Sequence, residues 1–91
     1  MLTAVQHLID AAQHNKRKKT IGNHSFRLYD NKWEFLYHFT IVCLVDPINN
    51  LIAYDNGGYD TISTKRALRS YKDYFNSNYI ECSMEFLKTC E

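Results

Sequence analysis

No apolar run in the chain approaches the roughly 18 residues that a membrane-spanning helix needs. Cys43, Cys82 and Cys90 are an odd set without Cys-x-x-Cys spacing. A disulfide framework is therefore not expected, and reduced, mostly buried thiols in a cytosolic setting are. Neither sign of charge dominates: a net charge of +1 argues neither for nucleic acid nor for its mimicry. Internal repeats and low-complexity segments are lacking. So is a Walker loop, since Asn56-Gly57-Gly58-Tyr59 has neither the spacing nor the Gly-Lys-Ser/Thr end. Met1-Leu2-Thr3 runs straight into an amphipathic pattern without a charged leader region, so a signal peptide is not expected.

What is present is apolar and aromatic. Across 91 residues the chain is 45% apolar and 14% aromatic, with seven tyrosines, which implies one folded domain over 1–91. Many of the tyrosines are expected at the core rim, ring inward and hydroxyl wet. Leu2, Val5, Leu8, Ile9 and Ala12 repeat at helical spacing, predicting a helix over 2–15. Lys16-Arg17-Lys18-Lys19 then reads as a basic connector and Ile21-Gly22-Asn23 as a turn. Residues 25–29 alternate as a strand, and Asp30-Asn31 suits a two-residue hairpin turn. Trp33, Phe35, Tyr37, Phe39, Ile41, Cys43 and Val45 share one parity, but the run is long for one strand. A break near 38–40 is expected, giving strands over 33–37 and 40–45, the second central because it is apolar on both parities. Asp46-Pro47-Ile48-Asn49-Asn50 is a turn, and 51–54 closes a meander of four strands. A second helix is expected from Thr64 to about Asn76, capped by Ser63 or Thr64. Residues 79–90 fit either a strand (Ile80, Cys82, Met84, Phe86) or a helix (Tyr79, Cys82, Phe86, Cys90) with Asn78 and Glu81 as a capping box; the helix is favoured. The fold class is α+β: a helix, an antiparallel meander, and one or two helices packed on one sheet face.

No catalytic set assembles locally, so a non-enzyme without cofactor or metal is expected. Cys43 lies in the most apolar strand, where burial makes a thiol inert. His7 and His14 are seven apart rather than four, and read as surface histidines rather than ligands. Asp55 and Asp60 read as turn residues bonding their own backbone. The best binding candidate is the segment from Asn56 to Lys72. Asn56, Gly57, Gly58 and Tyr59 form a turn that leads to a helix start. Thr61, Ser63 and Thr64 supply hydroxyls, and Lys65, Arg66, Arg69 and Lys72 supply charge opposite the apolar face of Ala67, Leu68, Tyr71, Tyr74 and Phe75. A helix start offers backbone N–H groups to an anion, whereas the plainer reading is a capped turn with a solvated basic face. Lys16, Arg17, Lys18 and Lys19 are either a solvated loop or a contact for phosphate or an acidic partner. Together these are eight of the eleven cations.

The segment Tyr54-Asp55-Asn56-Gly57-Gly58-Tyr59-Asp60-Thr61-Ile62-Ser63-Thr64-Lys65-Arg66 resembles a family of small bacteriophage and prophage proteins. They share a Gly-Gly-aromatic turn, a Thr, and a Ser/Thr-Thr-Lys-Arg helix start. Tyr37, Thr40 and Ile41 resemble the preceding family positions, and the likeness spans about 33–72. It implies an accessory protein of a mobile element in bacterial cytoplasm, and assigns no catalytic residue. Small proteins of that setting often block host defence complexes, anti-CRISPR proteins among them. The resemblance thus implies a stoichiometric inhibitor of a host protein or ribonucleoprotein. A small nucleic-acid-binding regulator, making weak contacts through the basic residues, is the alternative.

Overall fold

A computed structural model describes residues 2–58, 61–75 and 78–89. Over these residues the chain forms three helices and one six-stranded sheet. The elements run α1 (Thr3–Gln13), β1 (Lys18–Ile21), β2 (His24–Tyr29), β3 (Lys32–Tyr37), β4 (Thr40–Asp46), β5 (Leu51–Tyr54), α2 (Ile62–Phe75), β6 (Ile80–Glu81) and α3 (Met84–Thr89). Strand order follows chain order, antiparallel from β1 to β5, with β6 parallel to β5. The α+β class holds, with six strands in place of four. No helix among the described residues is long and apolar enough to cross a membrane.

Two of the connections are two-residue turns with both residues at positive φ, the pattern of a type I′ hairpin. Asp30 and Asn31 take φ 54° and 62°, which their short polar side chains tolerate. His38 and Phe39 take φ 50° and 66°, and Phe39 is left 95% exposed at the tip. The turn thereby removes Phe39 from the apolar parity it shares in sequence with Phe35 and Cys43. A bulge then breaks that parity again. Phe35 pairs with Cys43 but Leu36 with Ile41, so Val42 is the extra residue. Val42 and Cys43 consequently both enter the main core, while Ile41 turns to the other face.

The main core lies between one sheet face and α1 and α2. Val5, Leu8, Ile9 and Ala12 of α1 meet Phe26, Phe35, Cys43, Val45 and Ile52 of the sheet and Ala67, Tyr71 and Phe75 of α2. Each large aliphatic side chain buried there contributes roughly 1.5–3 kcal/mol. Phe35 is the hub of the aromatics, its ring centroid 5.4 Å from Phe26, 4.9 Å from Tyr71 and 6.0 Å from Phe75. Tyr71 itself is fully buried and its hydroxyl has no hydrogen-bond partner among the described residues, unlike the rim position expected of many tyrosines.

A second, smaller core joins Leu44, Ala53 and Leu87, with Ile41, Leu51, Cys82 and Met84 around it. Leu44 and Val45, like Ala53 and Ile52, are sequence neighbours divided between the two cores. Successive strand residues point to opposite faces, so α3 packs on the face opposite α1 and α2. This corrects the expectation of helices on one face only. The tail is both things its sequence suggested: a two-residue strand, then a six-residue helix. Its cap is Ser83, whose Oγ accepts the Phe86 N–H at 3.1 Å, and not Asn78.

Candidate basic interface on α2 and the α1–β1 groove

The turn before α2 is built by its own side chains. Gly57 and Gly58 take φ 65° and 82°, a region that penalises any residue with a Cβ. The Gly57 N–H donates to Asp55 Oδ1 at 3.0 Å, and the Gly58 N–H to Asn56 Oδ1 at 2.9 Å. The helix then begins two residues earlier than expected, capped by Thr61 rather than Ser63 or Thr64. Thr61 Oγ1 accepts the Thr64 N–H at 3.2 Å and its carbonyl accepts the Lys65 N–H at 3.0 Å. Thr64 is buried, its hydroxyl 2.9 Å from that of Thr61. Three N–H groups that an anion would need, on Gly57, Gly58 and Thr64, are thus already bonded. The anion-cradle reading narrows to side chains. Tyr59 and Asp60 lie outside the described residues.

Those side chains are well displayed. Ser63, Lys65, Arg66, Arg69 and Lys72 are exposed, while Thr64, Ala67, Ser70, Tyr71 and Phe75 are buried. Ser70 ties α2 to the start of α1: its Oγ accepts the Leu2 N–H at 3.0 Å and donates to the Arg66 carbonyl at 3.0 Å. Arg66 and Arg69 flank this tie in a shallow concavity of about 350 Å³, shared with Leu2, Ser70 and Asp73. Neither guanidinium takes part in the ion pairs found among the described residues, which are Arg27–Glu34 and Lys32–Asp30. Lys72 faces elsewhere, its amino group 5.3 Å from the centre of the Tyr54 ring.

The other basic cluster is not a connector. Lys18 and Lys19 belong to β1, which corrects the loop expected over 16–19. Lysine on a sheet edge is common because its charge discourages unwanted pairing. With His7, Ala11 and His14 of α1, residues Lys16, Lys18 and Lys19 line a groove of about 510 Å³. Asp10, also at this groove, has its carboxylate engaged by Gln6 Nε2 at 3.1 Å. His14 Nδ1 lies 2.7 Å from the Asp10 carbonyl oxygen. Arg17 is exposed beside the groove. Lys16, Lys18 and Lys19 thus line one concavity, and Arg66 and Arg69 another.

No family model, curated protein or solved structure matches this chain.

Elsewhere the chemistry is locally consumed. The pocket among Asp30, Lys32, Asp46 and Asn49 centres on a carboxylate that holds its own turn. Asp46 accepts hydrogen bonds from the Ile48 and Asn49 N–H groups and from Asn49 Nδ2. Burial opposes its charge, but these bonds, with Lys32 beyond, keep the carboxyl below its ordinary value. Cys43 is fully buried, which pushes its thiol well up and leaves it inert. Among the described residues no cluster of three or more His, Cys, Asp or Glu side chains could hold a metal ion. Sequence reasoning found the cations but missed the participation of His7 and His14 in the groove. Their seven-residue spacing on one helix face, next to a basic run, is the signal that was there to be used.

Proposed function

We propose that this chain is a phage-type accessory protein that inhibits a host defence nuclease complex, such as a CRISPR effector, by stoichiometric binding and without catalysis. Bacterial cytoplasm is the setting in which it acts. One observation carries the reading: Arg66 and Arg69 are presented, exposed and without ion pairs among the described residues, on a helix whose opposite face is locked into the core. Arginine is a favoured anchor at protein interfaces, and on a rigid helix only the side chains, not the backbone, remain to be ordered on binding. The fork of each guanidinium suits carboxylates of an acidic protein groove or phosphates of a bound guide. Ser63 and Lys65 extend the surface along the helix.

The nucleic-acid regulator reading is the weaker of the two. Tracking a phosphate backbone needs cations in one continuous stripe. Here Arg66 and Arg69 share one concavity, while Lys16, Lys18 and Lys19 line another. The test is a titration of the protein against target cleavage by effectors from its host. Inhibition should saturate near one copy per effector or effector subunit. Inhibition that requires catalytic turnover, or none with any effector, would sink the proposal.

A further inference from the structure

β1 is the first strand of the sheet, and its outer edge has no strand partner among the described residues. Its register with β2 decides which backbone groups point outward. Lys18 pairs with Arg27, Lys19 with Phe26, Thr20 with Ser25 and Ile21 with His24. One step further along the same register, the Leu28 N–H donates to the Arg17 carbonyl at 2.7 Å. Hydrogen-bonded and non-hydrogen-bonded pairs alternate in an antiparallel ladder. Lys19 and Ile21 therefore bond to β2, and Lys18 and Thr20 turn their N–H and C=O groups away from the sheet. Beside this edge runs the groove lined by His7, Asp10, Ala11, His14, Lys16, Lys18 and Lys19, its one carboxylate, that of Asp10, engaged by Gln6 and outnumbered by three lysines.

We propose that the β1 edge and its basic groove receive an acidic extended segment of a partner protein by strand addition. The backbone of Lys18 and Thr20 supplies two donors and two acceptors in the alternation that another strand matches. The side chains set the sign of the guest. A residue opposite Lys19 projects to the α1 side, among Lys16, Lys19 and the two histidines, so an acidic one is favoured there. A second copy of the chain would bring Lys18 and Lys19 against the same lysines, so self-pairing is opposed. Phosphates can only accept hydrogen bonds, and would leave the outward carbonyls of Lys18 and Thr20 without donors. A peptide satisfies both kinds of group, which favours it over nucleic acid. This site goes beyond the α2 reading and uses none of its residues.

The probe is a short synthetic peptide alternating glutamate and valine, added to the intact protein and followed by amide exchange and by fluorescence anisotropy. Controls are the same composition with the glutamates grouped at one end, a lysine-for-glutamate version, and a short single-stranded oligodeoxynucleotide. The expected result is binding of the alternating acidic peptide in preference to all three, with slowed exchange at the Lys18 and Thr20 amides. Thr20→Pro removes an outward donor and no β1–β2 bond, and proline is tolerated at such edge positions. It should weaken binding by about tenfold or more, as should Lys19→Glu, whereas the Arg66→Glu/Arg69→Glu double variant should bind as wild type. If Thr20→Pro does not fold, Lys19→Glu decides. Equal binding of the grouped peptide, preference for the oligodeoxynucleotide, protection away from β1, wild-type binding by Lys19→Glu, or no binding at all overturns the proposal.

Discussion

The two faces of α2 are made of the same fourteen residues and do opposite things. The inner face, with Ala67 and Tyr71 at 0% exposure and Phe75 at 1%, is the wall of the main core. The outer face carries Lys65, Arg66 and Arg69, all exposed. Inner residues are accounted for by burial, a matter of kilocalories each. Exposed cations on a helix contribute little to folding. Stability thus accounts for Tyr71 and its neighbours but not for Arg66 and Arg69, and the proposed recognition role rests on that difference.

Several substitutions would break or sharpen that contrast. The largest effect belongs to the inner face. Tyr71→Ala should cost about 3–5 kcal/mol in denaturant unfolding, since it empties the space beside Phe35. Tyr71→Phe keeps the ring and deletes a buried hydroxyl that has no partner among the described residues, so it should hold stability or raise it by up to about 1 kcal/mol. A large loss in Tyr71→Phe would mean that the hydroxyl is bonded after all.

Next comes the approach to the helix. Gly57→Val and Gly58→Val should each lose more than about 1 kcal/mol, because both glycines stand at positive φ. A Cβ at Gly58 would meet nothing within 4 Å, so the loss there would report the backbone alone. Melts equal to wild type would show that the turn relaxes freely and does not fix the start of α2. Thr61→Ala should cost about 1 kcal/mol by leaving the Thr64 N–H without its cap, while Ser63→Ala should leave the melt in place. The reverse order would return the cap to Ser63.

Much of the fold was legible. The helix periods of α1 and α2, the Asp30-Asn31 turn and the break after Tyr37 all follow from pattern and turn chemistry. What was hidden has physical causes. Lys18 and Lys19 read as a charge run because an edge strand needs no apolar face on its outer side. The turn at His38-Phe39 lacks the residues such a turn prefers, so its place could be read but not its geometry. The Val42 bulge inverts a parity that sequence alone continues. The second core was readable in principle: Ile41 to Val45 is apolar on both parities, and a strand of that kind is covered on both faces. As for the candidate site, charge and the apolar stripe told the exposed cations of α2 from its buried residues. The side-chain capture of the Gly57, Gly58 and Thr64 N–H groups is local, and Asp55 does bond its own backbone as its turn position implied, whereas the groove that unites α1 with β1 depends on tertiary placement that no local pattern encodes.

The smallest expected effect on stability is the most direct test of the account. Arg66→Glu with Arg69→Glu should shift folding free energy by no more than about 0.5 kcal/mol, as surface changes away from any partner do. The same double variant should lose inhibition in a titration against effector cleavage, where wild type saturates near one copy per effector or effector subunit. A folded double variant that inhibits as well as wild type would contradict the claim that this face of α2 is where the protein binds.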